Sequence, residues 1–323
     1  MPVVGGLLEP LYRAAVDRRN RAFDRGDRVT RFGVPIISVG NLSVGGTGKT
    51  PTVRLLVERL LARGRTPAIA MRGYKARAGE RSDEEAEYID SFPDVRVVAQ
   101  PDRVSGIRAL LSEHPRTDCV VLDDAFQHRY VARDLDIVLV DATRSPFEDR
   151  CLPAGWLREP VASLARADLI VVTRADTGGA IDDRLRSYNA PIVRTAHAWE
   201  GFTDGSETRL PPAHLDGKRA IVCCAIGHPL AFVEQCERAG CEVRGVRTER
   251  DHHAWTASEA SALERLAASE DAVIVTTRKD WVKLRRYAAD PARYAVPRLA
   301  IRPDAEGSRE IDAALDRVLS SVR

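Results

Sequence analysis

Apolar residues along this chain form short continuous runs that alternate with stretches of helical spacing. The run at residues 36–39 leads into a glycine-rich turn, and apolar positions at helical spacing follow at Val53, Leu56, Val57 and Leu60. Similar continuous runs recur at residues 117–123, 135–141 and 168–173. Buried aliphatic strands that alternate with helices are typical of a parallel sheet covered on both faces. The pattern therefore predicts an α/β fold with a doubly wound parallel sheet.

A change of composition divides the chain into parts. Residues 200–218 are rich in Gly, Thr, Asp, Ser and Pro, which is typical of a linker. At 323 residues the chain is long enough for two domains, each with its own core. We therefore predict an N-terminal amphipathic helix at residues 1–30, a larger domain at residues 31–205 and a smaller α/β domain at residues 206–323.

The N-terminal segment combines an apolar stripe with a row of cations. The apolar positions at helical spacing are Leu7, Leu8, Leu11, Tyr12, Ala15 and Val16. Arginines follow between residues 18 and 31. Such a helix either lies on an anionic membrane surface or packs on its own domain, and the pattern alone leaves both open. No run of about 18 apolar residues predicts a spanning helix, and the first residues do not resemble a signal peptide.

Composition narrows the class of protein and of partner. Apolar residues make up 44% and charged residues 30% of the chain, as in soluble globular proteins. A net charge of +2 is too small to favour a nucleic-acid partner. The six cysteines form no C-x-x-C pair, and Cys119, Cys223 and Cys224 lie in apolar runs. We therefore expect buried, reduced thiols and a cytoplasmic setting.

The glycine-rich turn after residues 36–39 predicts a phosphate-binding loop. Its backbone N–H groups can point at phosphate oxygens, and the next helix presents its positive N-terminus to them. Lys49 would reach the β- and γ-phosphates, and the Thr50 hydroxyl would bind Mg²⁺. Ser43 stands where the strict motif has glycine, so the loop is a variant. The predicted nucleotide contacts are Ser43, Val44, Gly45, Gly46, Thr47, Gly48, Lys49 and Thr50.

Two adjacent acids, Asp123 and Asp124, end the apolar run at residues 117–123. Carboxylate oxygens are ligands that Mg²⁺ prefers, and a strand ending in acids beside a phosphate loop is typical of nucleotide-binding folds. Adjacent side chains of a strand point to opposite sides, so we expect only one of the two to face the metal. The alternative is that one of them caps the following helix.

Three further runs carry chemistry but leave alternatives open. Residues 173–176, Thr-Arg-Ala-Asp, are similar to the guanine-reading run of GTP-binding switches, or simply cap a helix. Residues 251–253, Asp-His-His, favour a single catalytic or phosphate-contacting histidine over a metal site, because adjacent histidines rarely converge on one ion, and the alternative is a pair of surface histidines. The charges of residues 276–283 suit an anionic ligand or the start of a helix.

Taken together, these runs resemble the tetraacyldisaccharide 4′-kinase family, the lipid A 4′-kinases of Gram-negative bacteria. The segments that carry the resemblance, in chain order, are residues 39–51, 72–74, 102–103, 122–128, 133–134, 152–155, 157–160, 251–253 and 279–280. Ser43 is itself typical of that family. Ala125 stands where glycine is common, and residues 277–280 are a looser match.

The resemblance implies a P-loop NTPase-like kinase that transfers the γ-phosphoryl group of ATP to the 4′-hydroxyl of an acylated disaccharide 1-phosphate. It implies a peripheral enzyme on the cytoplasmic face of the inner membrane, which favours membrane contact for the N-terminal helix. Neither nucleic acid nor an obligate protein partner is expected.

The resemblance also implies roles for individual residues. It places Gln127 and His128 on the phosphates, and Thr50, Asp123, Asp124 and Glu159 on Mg²⁺. The implied substrate contacts are Asn41, Arg72, Tyr74, Asp102 and Arg158. An aspartate–histidine pair would activate the sugar hydroxyl. We assign the histidine to His252 and the aspartate to Asp83, with Asp102 as the alternative.

Two other functions compete with this interpretation. A GTPase-like switch or metallochaperone NTPase explains the phosphate loop and residues 173–176, but not residues 157–160 or 251–253. A small-molecule P-loop kinase leaves the N-terminal helix unexplained.

Overall fold

In the computed structural model, residues 2–73, 82–176, 182–227, 229–251 and 253–321 are described, and the chain forms two compact units. Unit 1 comprises residues 1–197 and 301–323, and unit 2 comprises residues 198–300. The chain passes from unit 1 to unit 2 after residue 197, close to the predicted boundary after residue 205. Residues 301–323 were predicted as part of the smaller domain, but they belong to unit 1. The reason is packing, because Ile311, Leu315 and Val318 of the last helix belong to the core of unit 1.

The helices and strands are numbered along the chain. The strands are β1 Ile36–Asn41, β2 Pro67–Met71, β3 Arg96–Ala99, β4 Cys119–Asp123, β5 Leu135–Asp141, β6 Leu169–Thr173, β7 Ile192–Asp204, β8 Arg209–Leu210, β9 Arg219–Cys224, β10 Glu242–Thr248, β11 Val273–Thr276 and β12 Tyr294–Pro303. The α-helices are α1 Pro2–Asp24, α2 Lys49–Ala62, α3 Asp83–Ser91, α4 Arg103–Glu113, α5 Asp182–Leu185, α6 Pro229–Arg238, α7 Ala257–Ser269, α8 Arg278–Leu284 and α9 Ala305–Ser321.

The strands of unit 1 form a parallel sheet in the order β7-β6-β5-β1-β4-β2-β3. Strand β1 lies at the centre, with Val39 opposite Asp123 of β4 and Ile137 of β5. The central strands are buried along almost their whole length, which explains their continuous apolar sequence. The predicted doubly wound parallel sheet is confirmed. Its geometry brings the carboxyl ends of β1, β4, β5 and β6 to one edge.

Unit 2 is a smaller α/β unit with its own core. Its strands lie in the order β10-β9-β11-β12-β7, and β8 pairs antiparallel with β7. The core contains two fully buried tryptophans, Trp255 and Trp281. All six cysteines of the chain are free and buried, as predicted for the thiols of the apolar runs.

Helix α1 packs on unit 1 through a mixed face. Its buried side chains are Glu9, Val16, Asn20 and Phe23, so polar groups lie on the protein-facing side. By contrast, Leu8 is 47% and Leu11 69% exposed. The helix therefore packs on its domain and also carries an outward apolar stripe. Among the described residues, no helix has the length and apolar character needed to cross a membrane.

Candidate active site

The phosphate loop has the predicted order of strand, turn and helix. Strand β1 ends at Asn41, and α2 begins at Lys49 with Gly48 as its cap residue. Gly48 has φ 87°, in the left-handed region that favours glycine. The first turn of α2 is closed by Thr52, which donates its N–H (3.2 Å) and hydroxyl (2.8 Å) to the carbonyl of Gly48. The positive end of α2 thus faces the space enclosed by the loop.

A second glycine, Gly40, lets the turn after β4 approach β1. A Cβ at this position would lie 2.5 Å from the backbone nitrogen of Phe126, so only glycine fits. The turn is held there by two bonds, from the N–H of Ala125 to the carbonyl of Val39 (3.1 Å) and from Gln127 Nε2 to the carbonyl of Asn41 (2.9 Å). In the sequence, this close approach is indicated by Gly40 itself, because a glycine near the end of a buried strand often marks a place where another backbone comes near.

Lys49 lies between an amide and a carboxylate. Its Nζ is 3.4 Å from Asn41 Oδ1 and 3.6 Å from Asp124 Oδ1. Arg158 Nη1 donates to both carboxylate oxygens of Asp124, at 2.9 and 3.0 Å. Burial alone would raise the pKa of Asp124, but Lys49 and Arg158 outweigh it and the pKa is lowered. Asp124 is therefore an ionised carboxylate with two cationic partners.

Asp123 differs from its neighbour, although both are acids of one strand end. Its Oδ2 accepts from the Tyr88 hydroxyl at 2.9 Å, and its buried Oδ1 has no partner among the residues that the structure describes. Burial, helped by the charge of Glu84, raises the pKa of Asp123 to about 6. Burial raises the pKa of Tyr88 well above its usual value, and the Thr50 side chain partly opposes this rise. Thr50 and Asp123, the predicted metal ligands, thus both act on the Tyr88 hydroxyl, which no motif had indicated.

Two arginines hold the turn that follows the acids. Buried Arg103 donates through Nη2 to the carbonyls of Asp123 (2.8 Å) and Asp124 (3.0 Å). Arg133 donates to three carbonyls of the turn, including that of His128 at 2.8 Å. Burial, with these two arginines, lowers the pKa of His128 to about 4, so the ring is neutral. Within the described part of the chain its buried Nε2 has no partner, and its nucleotide contact stays a prediction.

Asp102, the alternative catalytic aspartate and predicted substrate contact, caps α4. Its Oδ1 accepts from the N–H groups of Val104 and Ser105, and its Oδ2 accepts from the Ser105 hydroxyl at 2.6 Å. The bonds from Ser105 lower the pKa of Asp102. A carboxylate that is fully engaged and weakly basic is a poor proton acceptor, which favours Asp83 over Asp102.

The other side of the loop is supported from β6. Thr173 donates its hydroxyl to the carbonyl of Thr47 at 3.0 Å, and Arg174 donates to the carbonyl of Gly46 at 3.3 Å. Arg174 is held in turn by Asp141, whose Oδ1 lies 3.0 Å from its Nε. Thr173 and Arg174 therefore support the phosphate loop. This structural role accounts for the two residues without a contact to guanine.

A short segment, residues 156–159, pairs with residues 42–44, the first half of the phosphate loop. We call this segment the strap. The N–H of Val44 donates to the carbonyl of Trp156 (2.8 Å), and the N–H of Arg158 donates to the carbonyl of Leu42 (2.7 Å). The N–H of Val44 thus donates to the strap, and the predicted nucleotide contact of Val44 stays a prediction. Arg158 pairs with Asp124 as described above, and its predicted substrate contact stays a prediction.

Glu159, predicted as a metal ligand, is 0% exposed and faces α1. Its Oε1 accepts from Arg19 (3.1 Å), and its Oε2 accepts from Asn20 and Arg166 (2.9 Å each). In this structure the carboxylate anchors the N-terminal helix, and its metal role stays a prediction.

Some predicted residues lie outside the described part of the chain. These are Tyr74 and His252. Asp83 is the first residue of α3, which Ser82 caps, but its side chain is not among those described. Arg72 directly follows β2 and is exposed.

The remaining motif residues of unit 2 have structural partners. Ligating atoms of Glu249, His253 and Glu259 lie within 4.8 Å of one another. Arg247 Nη2, however, contacts Glu249 at 3.2 Å and Glu259 at 2.6 Å, and so supplies the positive charge that a metal would bring. The cluster is thus an ion-pair network.

Asp280 connects the segment around the Asp-His-His run to its surroundings. It is fully buried and accepts from Trp255 Nε1 (3.0 Å), the N–H of Ala225 (2.9 Å) and the Thr277 hydroxyl (2.6 Å). Thr277 caps α8, so the charged run at residues 276–283 starts a helix.

Comparisons with known proteins agree with one another. The sequence model of the LpxK family, tetraacyldisaccharide-1-P 4′-kinase, matches residues 6–320. A tetraacyldisaccharide 4′-kinase of Anaeromyxobacter sp. (strain Fw109-5) is 38% identical, with 97% of this chain and 91% of the relative covered. The enzyme of the same name from Geobacter sulfurreducens is 37% identical, with 96% and 91% covered. The crystal structure of LpxK from Aquifex aeolicus in complex with ATP is similar at a TM-score of 0.79, with 27% identity and 97% of each chain covered.

Proposed function

Because the chain belongs to the tetraacyldisaccharide-1-P 4′-kinase family and is therefore a phosphotransferase, we propose that it transfers the γ-phosphoryl group of ATP to the 4′-hydroxyl of a tetraacylated disaccharide 1-phosphate. The main support for this proposal is the position of Lys49, which lies at the N-terminus of α2 between Asn41 and Asp124. In the transfer, the bond from the γ-phosphorus to the bridging oxygen breaks, a bond to the 4′-oxygen forms, and the hydroxyl proton passes to a base. ADP and the 4′-phosphorylated lipid are the products.

We further propose that the site takes Mg²⁺ on Asp123 and Thr50. The support is a buried oxygen of Asp123 that has no partner among the described residues, next to the Tyr88 hydroxyl whose pKa Thr50 also affects. Oxygen donors of this kind suit a hard cation. When bound, Mg²⁺ neutralises charge on the phosphates. Lys49 and the loop N–H groups do the same from the protein side and hold the phosphates in line with the acceptor.

The acceptor hydroxyl needs a base because it is a weak nucleophile with a high pKa. We propose that Asp83 and His252 act as the pair that orients this hydroxyl and accepts its proton. We expect Asp83→Ala and His252→Ala each to lower kcat by about 100-fold or more while ATP affinity stays near that of the wild type. Steady-state kinetics combined with direct ATP titration measure the two effects separately.

The matched control for Asp83→Ala is Asp94→Ala, an exposed aspartate just after α3. Wild-type turnover in Asp83→Ala would move the role of base to Asp102 or remove it, and Asp102→Ala then distinguishes these two outcomes.

Helix α1 is proposed to contact the cytoplasmic face of the inner membrane. The support is its outward stripe, where Leu8 and Leu11 are 47% and 69% exposed while Glu9 and Asn20 are buried. Burying two leucines in the bilayer interface is worth a few kcal/mol, at about 1.5–3 kcal/mol for each fully buried side chain. The arginines that follow would meet anionic headgroups.

We expect Leu8→Asp/Leu11→Asp to weaken binding to vesicles that contain anionic lipid by more than about tenfold. Vesicle sedimentation measures this directly. Leu266→Asp is the matched control, since Leu266 is 43% exposed on α7. Equal binding by the wild type and the α1 variant would exclude this stripe as the contact surface.

The test of the main proposal is transfer of labelled γ-phosphate from ATP to tetraacyldisaccharide 1-phosphate in detergent micelles. A product labelled at the 4′-position, formed only when Lys49 is intact, is the expected result. Nucleotide hydrolysis without a labelled lipid, or strict use of GTP that Asp176→Ala abolishes, would overturn the proposal.

A further inference from the structure

Helix α1 is connected to the phosphate loop through the strap, residues 156–159. On one side, the strap donates from the N–H of Arg158 to the loop carbonyl of Leu42 at 2.7 Å. It also accepts from the loop N–H of Val44 at 2.8 Å, through the carbonyl of Trp156. The first half of the phosphate loop is therefore paired with the strap as two short antiparallel segments, with Ser43 opposite Leu157.

On its other side the strap is bonded to α1. The Tyr12 hydroxyl donates to the carbonyl of Arg158 at 2.9 Å. One residue further along, Glu159 accepts from Asn20 at 2.9 Å and from Arg19 at 3.1 Å. A fully buried carboxylate is stable only while its hydrogen-bonding partners remain in place. The position of α1 and that of residues 158–159 therefore depend on each other.

The strap also reaches the charged centre of the site. The side chain of Arg158 donates to both oxygens of Asp124, and the same nitrogen lies 3.4 Å from Gln127 Oε1. Asp124 in turn lies 3.6 Å from Lys49. One residue thus has its carbonyl on α1, its N–H on the phosphate loop and its guanidinium on the acid beside Lys49.

We propose that α1 positions the nucleotide site through the strap, with Tyr12 and Asn20 as positioning residues. Their bonds set the backbone of residues 158–159, which places Arg158 against Asp124 and holds the first half of the loop in its phosphate-binding form. The inference rests on the proposed use of ATP, but it concerns ATP affinity in the absence of lipid. The exposed side of α1, with Leu8 and Leu11, would then contact lipid. The protein-facing side of the same helix, with Tyr12 and Asn20, would position the nucleotide site.

The test is direct titration of the full-length protein with a fluorescent ATP analogue, in buffer without lipid or detergent. We expect Tyr12→Phe/Asn20→Ala to raise the Kd for the analogue about tenfold, because two of the bonds that set the strap are lost. In the kinase assay the KM for ATP rises in the same proportion, while the KM for the lipid stays within twofold of the wild type. An α1 that serves only as a membrane anchor would change the KM for the lipid alone.

The matched control is Asp24→Asn. Asp24 also ties α1 to unit 1, since Arg129 Nη2 donates to it at 2.7 Å, but the contact does not involve the strap. We expect this variant to bind the ATP analogue like the wild type. Thermal melting of every variant reports folding, and the isosteric Tyr12→Phe alone, with an expected rise in Kd of about threefold, replaces the double variant if that variant does not fold.

A double-mutant cycle locates the route of the effect. Tyr12→Phe should change the Kd less once Arg158→Ala has removed the guanidinium from Asp124, because only the backbone bonds between the strap and the loop then remain to transmit the effect. An unchanged Kd in folded Tyr12→Phe/Asn20→Ala overturns the inference, as does an equal loss of affinity in Asp24→Asn. Wild-type protein that binds ATP but phosphorylates no lipid would instead contradict the proposed substrate and leave this inference standing.

Discussion

Lys49→Ala should lower kcat for phosphoryl transfer by about a thousandfold or more, the largest effect expected of any single side chain here. Charge on the transferring group is neutralised by groups already in place, and Lys49 is the side-chain cation at the start of α2, 3.4 Å from Asn41 Oδ1 and 3.6 Å from Asp124 Oδ1. Without it, Asp124 would face the phosphates with Arg158 as its remaining ion-pair partner, so repulsion adds to the lost attraction. Quench-flow measurement of a single turnover at saturating ATP isolates this step.

Two further variants decide whether the loss has this electrostatic cause. Lys218→Ala, an exposed lysine of unit 2, is the control and should keep wild-type turnover. Lys49→Ala/Asp124→Asn removes the unbalanced negative charge and should recover part of the ATP affinity without recovering kcat. Turnover of Lys49→Ala within threefold of the wild type would mean that this loop is not where the phosphoryl group is transferred.

Gly48→Ala should raise the Kd for ATP by about 100-fold or more. The residue has φ 87°, where an L side chain is strained. An added Cβ would also lie 3.0 Å from His197 Nε2 and 3.4 Å from Thr173 Cγ2. Both effects push the residue that precedes Lys49 out of place and turn the first N–H groups of α2 away from the phosphates. Isothermal titration with ATP measures the loss.

The control for Gly48→Ala separates strain from crowding. Gly64, after the end of α2, has a similar φ of 70°, but nothing lies within 4 Å of an added Cβ. We expect Gly64→Ala to cost about 1 kcal/mol of stability and to leave the Kd for ATP unchanged. Gly48→Ala/His197→Ala should regain part of the affinity, since it removes the nearest crowding group. Undiminished affinity in Gly48→Ala would exclude the crowding of this turn as a determinant of nucleotide binding.

The features predicted correctly from sequence depend on residues that are close together along the chain. The order of strand, glycine turn and helix around Lys49 is set within about twenty residues by apolar spacing and by glycine at a left-handed position. The parallel sheet follows from continuous aliphatic runs such as residues 135–141, which only a sheet covered on both faces can bury. The acids at residues 123–124 could be placed near the loop because the carboxyl ends of neighbouring parallel strands meet at one edge.

The partners of individual side chains could not be predicted in this way. Asp123 and Asp124 are identical in type and adjacent in sequence, yet Tyr88 and burial raise the pKa of one, while Lys49 and Arg158 lower the pKa of the other. Tyr88 belongs to no motif, and its hydroxyl reaches Asp123 only because Tyr88 of α3 is buried in the same core as β4. The electrostatics of the site therefore depend on which elements meet, and spacing along the chain contains no such information.

The phosphate loop, the parallel sheet and the family can be recognised from the amino-acid sequence, because each is encoded in residue types at short, regular spacing. The return of α9 to unit 1, the contact of Glu159 with α1 and the exposure of the α1 leucines become visible only in the folded chain. An apolar or charged side chain specifies the need for burial or for a partner. Which surface meets that need is settled when distant segments pack together.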